Sequence, residues 1–311
     1  MLKNKNNASF ATLAKRDWRK HKSLYLMFLP VLLYYLIFHY KPMYGAIIAF
    51  QNFNPSKGIL DSQWVGFKHF TDFFNSYHFI RVLKNTLVIS VTNIILGFPA
   101  PILLALLLNE IKSKRFSKIV QTITYMPHFI SLVVIAGMIK EFTSSNGLIT
   151  QFMMHYFNFE QVALLTKKDL FVPIYVLSDM WQSVGWSSII YLAALSGVNQ
   201  ELYEAAKIDG AGHFRQVINI TIPSIIPTII TLFILRMGTV LNVGFEKIIL
   251  LYNPSIFDTA DVISSYVYRK GLQELSWSYS TAVGLFNSVI NVFLLVSANF
   301  LSKKACDSSL W

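Results

Sequence analysis

Two long stretches of this sequence contain no charged residue, and they restrict the possible folds more than any other feature. Leu87–Leu108 is 22 residues long, and Tyr279–Leu301 is of similar length. An α-helix rises about 1.5 Å per residue, so each stretch is long enough to cross a hydrocarbon core of about 30 Å. The sequence therefore predicts helices that span a membrane.

The composition of the whole chain agrees with this prediction. Of its 311 residues, 54% are hydrophobic and only 14% are charged, which excludes an ordinary soluble domain. The net charge of +11 does not indicate nucleic-acid binding, because the basic residues lie beside the apolar segments. The one cysteine, Cys306, excludes an internal disulfide and a site of several thiolates.

Six apolar segments can be separated along the chain, and they predict an all-α integral membrane protein with six transmembrane helices. One membrane domain, residues 24–304, is expected between a basic N-terminal segment, 1–23, and a short tail, 305–311. The predicted spans are Ser23–His39, Leu87–Leu108, Ile119–Ile139, Leu170–Leu195, a fifth from Pro223 to about 246–252, and Tyr279–Leu301. Gly97, Pro99 and Pro101 interrupt the second span, as a kink or as part of a substrate path.

The distribution of lysine and arginine predicts the orientation of these spans. Residues 1–23 contain seven basic residues, and residues 109–118 contain four more. Basic segments beside spans remain on the cytosolic side, and the first helix usually dominates. No small-residue cleavage site follows Ser23–His39, so we expect an uncleaved helix rather than a signal peptide. Both termini are predicted to be cytosolic.

The polar loop between the fourth and fifth predicted spans, residues 196–222, has its own helical pattern. Asn199 is a suitable N-cap, and Glu201 falls in the first turn, where a helix favours negative charge. Gly210 and Gly212 can end this helix, because glycine adopts a positive φ at little cost. A second amphipathic run follows from His213 to Ile220. The loop is predicted to be a helix, a glycine turn and a second helix.

This loop resembles the Glu-Ala-Ala loop of bacterial ABC importer permeases. The matching residues keep their spacing: Glu204, Ala205, Ala206, Asp209, Gly210, Ala211, Ile220 and Pro223. Ile222 stands where leucine usually precedes the proline, which is a mild change. The alternative is an ordinary amphipathic connector. The Glu-Ala-Ala triplet, together with a Gly and a Pro at the family's spacing, favours the family. The resemblance implies that these eight residues couple the membrane helices to an ATPase.

Further stretches resemble one subgroup of the family, sugar permeases associated with oligo- or polysaccharides. They are Tyr125–Ser131, Trp181–Leu195, Asn242–Pro254, Ala260–Tyr268 and the loop near Asn54–Gly66. The resemblance implies a multi-pass protein of the bacterial cell membrane that pairs with a second, homologous permease as a heterodimer. It also implies two ATPase subunits and an extracytoplasmic sugar-binding protein. ATP and Mg²⁺ would bind the partner ATPase, and this chain would bind no cofactor of its own.

Polar residues inside the predicted spans are candidates for the substrate path, because charge is costly there. Asp179 and Arg236 have matching depth, which fits an ion pair between them or contact with substrate. Ser280, Gly284, Asn287 and Asn291 share one helical face, where asparagine can bind sugar hydroxyls or bridge helices. Asn242 and Glu246 lie one turn apart, and Glu246 can instead pair with Lys247. Trp181 fits either a sugar ring or the membrane interface. The candidates are Asp179, Trp181, Arg236, Asn242, Glu246, Asn287 and Asn291.

Motifs for chemistry on this chain are absent from the sequence. It contains no G-x-x-x-x-G-K-[ST] phosphate loop, no H-E-x-x-H pair and no G-x-S-x-G elbow, and its seven histidines lack metal-ligand spacing. No catalytic residue and no metal site are therefore predicted, and the chain is not expected to be an enzyme. A permease for a peptide or an ion remains an alternative. A secondary transporter fits less well, because neither ion-coupling residues nor internal repeats are evident.

Overall fold

The computed structural model describes residues 10–306 and 309–310, and the side chains of residues 17–304 and 309–310. The predicted basic segment, 1–23, and the predicted tail, 305–311, therefore lie partly outside the described residues. The described chain is mainly helical. The helices of its first half are α1 (Phe10–Tyr35), α2 (Lys41–Met43), α3 (Lys68–Phe74), α4 (His78–Thr92), α5 (Pro99–Asn109), α6 (Lys114–Tyr125), α7 (Leu132–Phe142) and α8 (Leu148–Phe157).

The second half begins with a helix of 29 residues and ends with the last predicted span. Its helices are α9 (Lys168–Ser196), α10 (Gln200–Ile208), α11 (His213–Gln216), α12 (Ile222–Met237), α13 (Phe245–Leu251), α14 (Phe257–Ala260), α15 (Ile263–Tyr268) and α16 (Trp277–Cys306). Between α2 and α3, two short strands, β1 (Gln51–Asn52) and β2 (Gln63–Trp64), pair antiparallel with Gln51 opposite Trp64.

Four helical segments of the described chain are long and apolar enough to cross a membrane. They are Asp17–Phe50, His78–Asn109, His213–Met237 and Trp277–Lys304, and they contain the first, second and sixth predicted spans and the beginning of the fifth. The second span is less interrupted than expected, because a π-helical turn, Asn93–Gly97, leads directly into α5, with Pro99 in its first turn. The chain is therefore a helical membrane protein.

The third predicted span, Ile119–Ile139, is not one straight helix. The segments Lys114–Phe129 and Leu132–Phe142 meet at a bend of 98°. Pro127 lies in the 3₁₀ turn at the bend, where its missing N–H cannot continue the α-helical ladder. Ser131 then caps α7 by accepting from the N–H of Val134 at 3.4 Å. The expectation of a continuous helix was wrong, although the bent pair together is apolar enough for one span.

Helix α9 covers the fourth predicted span and lies at the centre of the fold, packed against α5, α6 and α12. Its 29 residues correspond to about 43 Å. It is less apolar than the four segments above because it carries polar residues along its length: Asp179, Gln182, Ser183, Ser187 and Ser188. The count of six spans, with α9 as the fourth, therefore remains a prediction.

Gly185 sets the crossing between α9 and α6. A β-carbon at this position would lie 2.0 Å from the carbonyl oxygen of Thr124. The two backbones therefore approach as closely as glycine alone permits, as in many packed membrane helices. This contact positions the bend of the third span beside the middle of α9.

A buried carboxylate joins α4 to residues 253–278, the segment between the fifth and sixth predicted spans. Asp261 is fully buried, and its Oδ2 lies 2.6 Å from Arg269 Nη2 and 3.4 Å from Arg81 Nη2. Beside it, the exposed Asp258 contacts Lys168 at 2.5 Å, and the hydrogen bond and charge of that lysine lower the pKa of the Asp258 carboxyl. Most of this segment is helical, in α14, α15 and a π-helical turn, and these charged contacts fix it to α4 and α9.

Candidate functional site

The loop that carries the Glu-Ala-Ala pattern folds as its sequence predicts. The side chain of Asn199 accepts from the N–H of Glu201 at 3.0 Å and caps α10. The helix ends beside Gly210, whose φ is +73°, and the N–H of Ala211 donates to the carbonyl of Ala206 at 2.8 Å. Gly212 does not share this conformation, because its φ is −65° and it begins α11 instead.

Helix α10 presents an open surface. None of its residues is buried; Glu204 and Ala205 are exposed, Ala206 is half-buried, and Asp209 is exposed just beyond the end of the helix. Small side chains on an exposed helix permit another protein to approach its backbone closely. The surface therefore has the shape expected of a helix that docks into a cleft.

Side chains fix α10 to the membrane helices on both sides. The hydroxyl of Tyr203 lies 2.9 Å from the Thr221 hydroxyl, in the π-helical turn that leads into α12. Tyr203 and Ile220 also pack on a core cluster that contains Leu195 of α9 and Ile225 of α12. Pro223 lies in the first turn of α12. A displacement of α10 would therefore be transmitted to α9 and α12 together.

A break in the fifth span forms the second feature of interest. Residues 238–244 separate α12 from α13 and are not α-helical. Side chains satisfy several of the backbone groups exposed by this break: Ser90 donates to the carbonyl of Val240 at 2.6 Å, Ser264 donates to that of Val243 at 2.8 Å, and Asn291 accepts from the N–H of Leu241 at 3.1 Å. Irregular backbone within a membrane is tolerated when it is buried in protein or lines a cavity.

Three of the predicted asparagines meet at this break. The Oδ1 atom of Asn242 accepts from Asn287 at 2.8 Å and from Asn291 at 3.0 Å. In this structure the asparagines join the break in the fifth span to α16, and their contact with sugar hydroxyls stays a prediction. Asn287 Oδ1 is buried and has no hydrogen-bond partner among the described residues.

The predicted ion pair between Asp179 and Arg236 is wrong. Asp179 instead faces Lys247, with 3.6 Å between Oδ1 and Nζ, and accepts from Asn93 at 2.9 Å. The alternative pairing of Glu246 with Lys247 is also wrong, because the buried ammonium points to Asp179 while Glu246 is exposed. The break before α13 turns Lys247 toward α9, and depth along a straight helix does not reveal this.

Two cavities meet at the same three residues, Asn93, Asp179 and Arg236. The α13-side cavity, of about 280 Å³, also contacts Asn242, Glu246 and Lys247. The α5-side cavity, of about 560 Å³, continues past Ser183, Trp186 and Tyr191. Charged and polar side chains therefore line a nearly continuous hollow along α9, between the second and fifth spans.

Trp181 does not belong to this hollow. It lies on the opposite side of α9, where it lines an apolar cavity with α7 and α8 residues such as Ile135 and Met153. Trp186 takes the place expected for Trp181, and it stacks on His128 with ring centroids 4.6 Å apart. The helical spacing of Asp179, Ser183 and Trp186 predicts a shared face, and this signal was missed.

No group of histidine, cysteine, aspartate or glutamate in the described part of the chain has an arrangement that would hold a metal ion.

Comparison with known proteins assigns the arrangement to a family. The sequence model of one protein family, the binding-protein-dependent transport system inner membrane component, matches residues 82–305. The chain belongs to this family, which consists of membrane permease subunits of transporters rather than of enzymes. The predicted family resemblance is confirmed.

Close relatives cover nearly the whole chain. Protein LplB of Bacillus subtilis (strain 168) is 44% identical over 304 residues, 97% of this chain and 94% of the relative. A polygalacturonan/rhamnogalacturonan transport system permease protein, YteP, of the same strain is 44% identical over 97% of this chain and 96% of its own length. One solved structure is that of a bacterial ABC transporter involved in the import of the acidic polysaccharide alginate. A chain of that structure is 44% identical to this chain, and the match covers 94% of this chain and 99% of that chain with a TM-score of 0.86.

Proposed function

We propose that this chain is one of two permease subunits of an ATP-driven importer for polysaccharide fragments. The observation that carries this proposal is the exposed helix α10, held to α9 and α12 by Tyr203 and Ile220. Those two helices also line the hollow that contains Asp179 and Arg236. A protein that binds α10 would therefore move the walls of the hollow.

The proposal includes partners on the cytosolic side and in the membrane. Two ATPase subunits bind ATP and Mg²⁺ and dock on α10 and on the matching helix of a second, homologous permease. Eight residues match the Glu-Ala-Ala loop of the family. The docking surface is formed by Glu204, Ala205, Ala206, Asp209, Gly210 and Ala211. Ile220 and Pro223 join this surface to α12. Six spans would place α10 and both termini in the cytosol.

An extracytoplasmic binding protein delivers the substrate. This part of the proposal is supported by a second solved structure, of a bacterial alginate ABC transporter in complex with an alginate pentasaccharide-bound periplasmic protein. The matching chain of that structure is 43% identical to this chain, and the match covers 95% of this chain and 99% of that chain with a TM-score of 0.87. The substrate path runs through the hollow, along Asp179, Arg236, Asn242 and Glu246. Trp181 stays outside it, while Asn287 and Asn291 support its wall.

The decisive experiment is uptake of oligogalacturonides and alginate oligosaccharides by proteoliposomes that contain the complete importer. Ala206→Trp places an indole on the half-buried docking face and should abolish ATP-driven uptake and co-purification of the ATPase. Leu107→Trp, at an exposed apolar position on α5, is the matched control and should preserve both. Uptake that persists without the ATPase would indicate a secondary transporter, and uptake of peptides or ions instead of saccharides would indicate the alternative substrates.

A further inference from the structure

Arg236 is a charged group of the hollow whose charge no neighbouring side chain of the described residues compensates. It is exposed and lines both cavities. Among the residues that the structure describes, its guanidinium takes part in no ion pair and no side-chain hydrogen bond. A charged side chain within a span is costly, and such groups line substrate paths or contact other polar groups. The guanidinium therefore requires a polar partner from outside this chain, and its place in the cavities makes water and a ligand the available ones.

The other charges of the hollow do not occupy the same place. Asp179 lines both cavities too, but Lys247 and Asn93 contact its carboxylate. Glu246 is exposed, and it lines the α13-side cavity alone. The charged residues that line the α5-side cavity are thus a compensated Asp179 and an uncompensated Arg236. This cavity has an excess of positive charge.

The remaining lining of the α5-side cavity suits a sugar ring. Ser187 provides a hydroxyl group, and the Ser183 hydroxyl, which donates to the carbonyl of Asp179 at 2.7 Å, can still accept. The exposed Trp186 provides an aromatic surface, and its ring stacks on His128 and contacts Phe129 edge-on. A planar guanidinium matches the two oxygens of a carboxylate with two parallel hydrogen bonds. A ring with hydroxyl groups and one carboxylate has the matching chemistry.

We infer that Arg236 is a specificity-determining residue that recognises the carboxylate of a uronic acid unit as the saccharide passes the junction of the two cavities. The inference rests on the proposed function and narrows its substrate class from polysaccharide fragments to acidic ones. Trp186 stacks on the ring of the unit, and Asp179, held by Lys247, stays away from the carboxylate.

The test compares two probes of equal length that differ in charge. Equilibrium binding of trigalacturonate and of its methyl triester is measured with the purified importer. The binding protein is left out, so that its own substrate selectivity does not affect the result. Trimannuronate serves as a second acid. Wild type should bind the acids about 10- to 100-fold more tightly than the ester, the range typical of one charge-assisted hydrogen bond. Arg236→Gln should abolish this preference and leave binding of the ester unchanged, whereas Arg236→Lys should keep part of it.

Lys140→Gln removes one positive charge from an exposed site on α7, outside both cavities, and should leave all binding unchanged. Equal binding of acid and ester by wild type, binding of neither, or an unchanged preference in Arg236→Gln would each overturn the inference. ATP-driven uptake of any oligosaccharide by the same wild-type proteoliposomes with the binding protein restored would show that the proposed function stands without it. Loss of that uptake would count against the proposed function itself.

Discussion

Lys247 Nζ lies 3.6 Å from Asp179 Oδ1, and this ion pair joins α13 to the middle of α9. The lysine side chain is 3% exposed and the aspartate side chain 32%. The ammonium also approaches the ring of Tyr175 to 5.0 Å. The pair therefore fixes the short helix beyond the break in the fifth span against α9, the helix that contributes Asp179, Ser183 and Ser187 to the hollow.

The first prediction is that Lys247 and Asp179 depend on each other. Lys247→Gln leaves the carboxylate with Asn93 as its partner and should destabilise the protein by about 1–3 kcal/mol, less than the roughly 3–5 kcal/mol of a fully buried pair, because Asp179 is partly solvated. The double variant with Asp179→Asn should regain part of this loss. The stability of Lys247→Gln, Asp179→Asn and the double variant is measured by thermal unfolding of the purified complex. Size-exclusion chromatography gives the fraction that remains folded.

The matched control for this cycle is Asp179→Asn with Arg236→Gln, since these residues share a cavity but no ion pair. Their coupling energy should be smaller than that of Asp179 with Lys247, because no ion pair joins them. A larger coupling energy for Asp179 with Arg236 than for Asp179 with Lys247 would contradict the pairing seen in the structure.

The difference between these two pairings shows how far the sequence leads. The loop of α10 was predictable because its signals are local: Asn199 caps the helix, and Gly210 ends it with a positive φ. The partner of Asp179 was not, because depth along straight helices favours Arg236. The turn of residues 238–244 brings Lys247 back to α9, and no local signal gives the direction of that turn.

Other differences had local signals that the sequence does show. Pro127 followed by Ser131 indicates a helix end and a new N-cap, which together predict the bend in the third span. Successive residues of a helix are about 100° apart, so Asp179 and Trp181 face different sides. These features follow from helix geometry alone. The meeting of the two cavities at Asn93 instead depends on how three spans pack against each other.

The second prediction concerns the crossing at Gly185. Gly185→Ala would place a methyl group 2.0 Å from the Thr124 carbonyl oxygen, so α9 and α6 must separate. Overpacking of this kind costs about 1–3 kcal/mol, and here the contacting atom is rigid backbone. The yield of folded protein should fall and its unfolding temperature should decrease.

Gly137→Ala is the control for that substitution. It lies within α7, and a β-carbon there meets no atom within 4 Å. Alanine is also the better helix former, so stability should stay the same or increase by up to about 1 kcal/mol. Equal yields and unfolding temperatures for the two variants would show that the close crossing is not required.

The third prediction concerns orientation. In a Cys306→Ser background, single cysteines at Ser113 and Ser145 should react with a membrane-impermeant thiol reagent on opposite sides of the membrane. Both positions are exposed, and the bent third span separates them. Intact cells should label Ser145→Cys, and only permeabilised cells should label Ser113→Cys, because the basic residues around Ser113 keep it in the cytosol. Labelling of both from outside would rule out the six-span arrangement.

The last prediction concerns the turn that ends α10. Gly210 has a φ of +73°, a region that a β-branched residue enters only with strain, so Gly210→Val should disturb the turn at a cost of about 1–2 kcal/mol and shift the end of the helix. Gly212→Val is the matched control: its φ of −65° and ψ of 163° suit valine, and a β-carbon there meets no atom within 4 Å. Both complexes should reach the membrane in normal amounts, because neither residue lies in a span. Gly210→Val should reduce co-purification of the ATPase and substrate-stimulated ATP hydrolysis at least severalfold, while Gly212→Val should retain both. Full ATPase binding and stimulation in Gly210→Val would mean that the geometry of this turn does not position the docking helix, and the coupling role of α10 would then have to be assigned elsewhere on the cytosolic face.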